Sequence, residues 1–99
     1  MSVIQIESPK HQFIYSNNTI NVYHADKGEG LVNHFHTFNH ATMCHSGSCI
    51  VRVKGKEIVM NKNSQPIDLP KNEWHEIESL EENTVFVNIF PTEGTYQGE

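Results

Sequence analysis

The residues best suited to chemistry are His34-Phe35-His36. In a β-strand, side chains at i and i+2 point to the same face, roughly 6.6 Å apart along the chain. Two imidazoles placed this way can grip one ion. His40 follows Thr37-Phe38-Asn39, a spacing long enough to turn a tight hairpin, so a third imidazole can return from the adjacent strand. Five of the seven histidines (His34, His36, His40, His45 and His75) lie between positions 34 and 75. Neutral imidazole is the commonest nitrogen ligand of transition metals, so the clustering is a functional signal. Taken alone, His-x-His also describes two solvated or hydrogen-bonded histidines, and the surrounding pattern has to decide.

Positioning these side chains requires strands. Short alternating runs dominate, bounded by Gly, Asn, Asp and Pro, and no segment shows a helical period. The pattern predicts strands over Val3–Glu7, Gln12–Tyr15, Thr19–His24, Leu31–His36, His40–His45, Cys49–Lys54, Glu57–Met60, Pro66–Leu69, Trp74–Ser79 and Thr84–Phe90. Asn17-Asn18 and Lys54-Gly55-Lys56 read as hairpin turns. In Pro70-Lys71-Asn72 a residue that fixes φ is followed by one that tolerates positive φ. Many short strands with tight turns imply an all-β antiparallel sandwich or jelly-roll barrel. The 99 residues make one domain, 1–99, with a frayed end over about 94–99.

Thr84–Phe90 is apolar on both faces: Val85, Val87 and Ile89 on one, Phe86 and Phe90 on the other. A strand of this kind needs a second sheet or another subunit over it, and a homodimer is expected. The formal net charge of −5 argues against nucleic acid and against anionic membrane surfaces. No apolar run nears the roughly 20 residues of a membrane span, and the first residues do not resemble a signal peptide, so a cytoplasmic protein is expected. Cys44 and Cys49 flank Ser46-Gly47-Ser48 and could face each other across a hairpin; free thiols are the expectation in a reducing compartment.

The wider spacing resembles the first motif of the cupin superfamily. Gly28 lies six residues before His34-Phe35-His36, His40 follows where that family usually has glutamate, and Gly47 lies seven residues after His40. The second cupin motif is matched in part by Pro70-Lys71-Asn72-Glu73-Trp74-His75, with Asn72 at a glycine position and Ser64 and Ser79 at the outer glycine and asparagine positions. The two motifs cover about half the chain. The resemblance implies a cupin β-barrel with a fourth ligand from the second motif, where His75 is the only histidine. The implied set is His34, His36, His40 and His75, similar to the four-histidine cupin variant.

Such an all-imidazole, neutral site favours one divalent transition-metal ion (Fe, Mn, Ni, Cu, Co or Zn) over Mg or Ca. An octahedral ion keeps two positions for a bidentate small molecule, or for a substrate plus O₂. The resemblance therefore implies a metal-dependent dioxygenase, an oxidoreductase acting on a small chelating molecule. The alternatives are a cupin isomerase or lyase and a non-catalytic metal-dependent sensor of small ligands. By strand alternation Val32, Thr42, Cys44, Glu73 and Ile77 share the inward faces. Glu73 is the candidate to orient His75 or to carry a proton. His45 should face outward, His24 should lie at the surface, His11 has no assigned role, and Phe38 and Trp74 read as packing residues rather than substrate platforms.

Overall fold

The computed structural model describes residues 3–92, so the expected frayed end at 94–99 lies outside it. All ten expected strands form, with ends moved by a few residues: β1 (Ile4–Gln5), β2 (His11–Tyr15), β3 (Asn18–Ala25), β4 (Glu29–His34), β5 (His40–Ser46), β6 (Ser48–Val53), β7 (Lys56–Asn61), β8 (Ile67–Leu69), β9 (His75–Ser79) and β10 (Thr84–Pro91). They make two five-stranded sheets, ordered β1-β4-β9-β6-β7 and β2-β3-β10-β5-β8. Every pairing is antiparallel except β1 with β4. The expected turn chemistry is present: Asn17, Lys54 and Asn72 adopt positive φ, at 66°, 54° and 64°.

The inner faces meet over Phe86, Met60, Val51, Cys44 and Cys49, all fully buried, with the Tyr23 ring stacked on Phe86 at 5.0 Å. Burying this apolar surface is the main stabilising contribution in so small a domain. The Cys44–Cys49 connection is not a hairpin. β5 and β6 belong to different sheets, and Gly47 (φ +73) carries the chain from one to the other. A Cβ at Gly47 would run into Thr84, so glycine is required by both conformation and space. Cys44 and Cys49 are free, buried thiols, and burial pushes the Cys49 thiol up to about 12.

The outer faces differ in character. On the first sheet Arg52 bridges Glu57, Glu76 and Glu78 at 3.3, 2.6 and 3.0 Å. The middle of the second sheet's outer face is apolar, built around Val85, Val87 and Ile89 of β10, all partly buried, with His11, His24 and Asp68 at its margins. Two features shape the end of the barrel that holds the histidines. First, the β4–β9 register slips between Leu31↔Ile77 and His34↔His75, so three steps on β4 match two on β9. This bulge reverses the parity expected from alternation. Leu31 points into the core, and Val32, expected inward, is 42% exposed. Second, β4 ends at His34; the His36 carbonyl accepts instead from the Asn72 amide at 2.6 Å.

Candidate metal centre

Three of the histidines come from the first sheet. His34 closes β4, His36 lies two residues beyond it, and His75 opens β9 directly opposite His34. Among the described residues, ligand atoms of His34, His36 and His75 all lie within 4.8 Å of one another. His34 Nε2 and His36 Nε2 are 3.1 Å apart. Ring centroids are 4.4 Å apart for His34 and His75, and 5.5 Å for His36 and His75.

His40 arrives from the other sheet, as the first residue of β5. Its Nε2 is 3.2 Å from His75 Nε2, and its ring lies 5.0 Å from that of His36. It nevertheless stands outside the group of three, so four imidazoles at a single point is an expectation met for three of them. The difference follows from the fold: three rings share one sheet, whereas His40 reaches across the interior.

The ring nitrogens are disposed for a metal. His34 Nδ1 is held by the Val32 carbonyl at 2.6 Å and His75 Nδ1 by the Glu73 carbonyl at 2.9 Å. Each bond assigns the proton to Nδ1 and leaves the Nε2 lone pair facing the cluster. Nitrogens about 2.1 Å from one ion stand roughly 3.0–3.4 Å apart at octahedral to tetrahedral angles, which matches the 3.1 and 3.2 Å separations. His40 is 5% exposed and its Nδ1 has no hydrogen-bond partner among the described residues. The donor set is therefore neutral, nitrogen-rich and partly unsatisfied, and it fits a divalent transition metal.

Burial, followed by the neighbouring imidazoles, lowers His36 to about 4 and His40 to about 3; burial also lowers His75. All three are neutral at pH 7. Glu73 acts on His75 through its backbone carbonyl and, more weakly, through its charge. Its side chain lies 3.9 Å from Lys54 Nζ, in an outer groove with Arg52, Lys56 and Trp74.

A cavity of about 390 Å³ opens beside the cluster, lined by His34, His36, His40, Asn21, Asn88 and Phe38, among others. Phe38, expected only to pack, stacks on His36 at 4.8 Å and forms part of the wall. Trp74 is 54% exposed and meets Phe35 on the outside. Thr42, Cys44 and Ile77 point inward as expected, and His24 and His45 lie at the surface. Sequence reasoning passed over Asn21 and Asn88. The available signal was parity: Asn88 shares a face with Phe86 and Phe90, an odd place for an amide unless it serves a cavity.

No family model matches the sequence, and no curated protein does. Solved structures do. KdgF from Halomonas sp. superposes with a TM-score of 0.72 at 15% identity, over 80% of this chain and 73% of that one. A cupin protein from Bacteroides fragilis gives 0.72 at 17%, over 100% and 87%. The chain has the cupin fold. The cupin 2 conserved barrel domain protein from Leptotrichia buccalis gives 0.71 at 22% identity over 88% of this chain and 44% of that one. This fold places the three-histidine cluster, which could hold a metal ion, at one end of the barrel.

The lowered values have a consequence for stability. Unfolded histidines take protons near 6.5, whereas folded His36 and His40 resist until about 4 and 3. Below about pH 6.5 the unfolded chain binds more protons, so their contribution is complete above that pH and is lost progressively as pH falls. The melting temperature of metal-free protein should be level from about pH 8 to 6.5 and fall from there to about 5, with a shallower fall in His36→Gln. A melting temperature unchanged over the lower interval contradicts this.

Proposed function

We propose that this cupin binds one divalent transition-metal ion through His34, His36, His40 and His75, and that it is a dioxygenase-type oxidoreductase acting on a small chelating molecule. The observation that carries the reading is the pair of Nε2–Nε2 separations, 3.1 and 3.2 Å, in rings turned so that those nitrogens face the cluster. His40 supplies the fourth nitrogen by a small adjustment of a ring whose Nδ1 has no competing bond. When bound, such an ion supplies Lewis acidity and, if redox-active, electrons for O₂.

The chain's own residues do the rest. The Val32 and Glu73 carbonyls keep the His34 and His75 rings oriented. Leu31, Phe38 and Phe90 line the cavity with apolar surface and limit water. Among the described residues no carboxylate or amine lines this cavity, so a protein base there could come only from Tyr23 or the histidines. That feature disfavours an isomerase or lyase that relies on a protein base. It also supports a second reading, a metal-dependent module that binds a small ligand without turnover.

Titration with Co(II) tests the metal site. One equivalent should bind, His75→Ala should weaken binding by about 100-fold or more, and Glu73→Gln should change it by less than about 3-fold, because the backbone carbonyl remains. Oxygen uptake by the Fe(II), Mn(II) and Cu(II) forms with diketones, phenols and hydroxy acids then separates the readings. Uptake beyond one O₂ per site supports the oxygenase, stoichiometric binding without uptake supports the sensor, and failure to bind Co(II) overturns both.

A further inference from the structure

Below the histidines, the inner face of the second sheet carries a row of polar side chains where a core would be expected. Gln12 faces Asn21 across β2 and β3, Asn21 faces Asn88 across β3 and β10, and Asn88 faces Thr42 across β10 and β5. Asn21, Asn88 and Thr42 are only 8%, 7% and 2% exposed. The adjacent row deeper in the barrel, Tyr23, Phe86 and Cys44, is core. On the other side, two residues from Thr42 on the same strand, stands His40. Thr42 and Asn88 line a small void together with His34, His40 and His75, and Asn21 and Asn88 line the main cavity with His34, His36 and His40.

The row's oxygens are occupied within the protein. Gln12 Nε2 donates to Asn21 Oδ1 at 2.7 Å, and Thr42 Oγ1 donates to Asn88 Oδ1 at 2.7 Å. Asn21 also hydrogen-bonds the Tyr23 hydroxyl. Asn88 Nδ2 is left as a donor at the cavity wall. It opens to the cavity, where a ligand atom can accept from it. Among the described residues, the walls hold no carboxylate, lysine or arginine, so a ligand's negative charge can be met only at the ion.

Resting on the metal site proposed above, we infer that the cavity selects a small hydroxy- or oxo-acid, with its acid end at the histidine-held ion and a neutral hydroxyl or carbonyl tail on Asn21 and Asn88, the latter held in place by Thr42. Phe38 and Phe90, with ring centroids 5.4 Å apart, cover the carbon edge of such a tail.

The test uses three acids with the same chelating end: glycolate, gluconate and 2-hydroxyhexanoate, titrated into the Co(II)-loaded protein and followed by the visible spectrum of the ion. Gluconate should bind about 10-fold or more tighter than 2-hydroxyhexanoate, because a site built to bond hydroxyls rejects a ligand lacking them. Asn88→Leu should cut that preference to about 3-fold or less. Thr42→Val should reduce it too, and both variants should keep wild-type Co(II) affinity. Equal binding of the two six-carbon acids, or a preference that survives both substitutions, overturns the inference and leaves the metal site standing. Failure to bind Co(II) at all overturns the metal site, and this inference with it.

Discussion

Two hydrogen bonds of the same design govern the site. His34 Nδ1 and His75 Nδ1 are each held by the carbonyl two residues upstream, Val32 and Glu73, and the two histidines face each other across the β4–β9 pair. Both bonds depend on local backbone form. On β4 this follows the bulge, and before β9 it follows the turn in which Asn72 takes φ 64°. Without the bulge, alternation would point Val32 inward and leave Leu31 outside the core. Ring orientation, tautomer and packing of the barrel end are thus set together.

The fold was legible because its signals are local. Alternation and turn chemistry located all ten strands, and the positive φ of Asn17 and Asn72 follows from residue type. What stayed hidden is long-range. No local rule announces a bulge that depends on pairing with β9, so Val32 was read inward. Nor does spacing reveal that Gly47 passes between sheets, which turned an expected hairpin into a crossing. For the site, His34, His36 and His75 meet as the motifs implied, and His40 contacts His75 from the facing sheet. Glu73 contributes to His75 a carbonyl that every residue type would offer, beside the charge of its side chain.

The cavity explains why a small domain tolerates polar groups inside. Removing Asn21, Asn88 and Thr42 from water carries a cost that apolar residues there would avoid, since an unpaired buried polar group costs on the order of 1–3 kcal/mol. The internal bonds of Gln12 to Asn21 and Thr42 to Asn88 offset part of it. The same polar row separates the imidazoles from the Phe86 core, so chemistry and stability occupy adjacent layers of one sheet.

The central claim is that four imidazoles share one ion, and X-ray absorption on the Zn(II)- or Co(II)-loaded chain tests it most directly. The account predicts a first shell with four imidazole nitrogens at about 2.1 Å, falling to three in His40→Ala. A shell with three or fewer imidazoles in the unaltered chain, or one unchanged by His40→Ala, contradicts it.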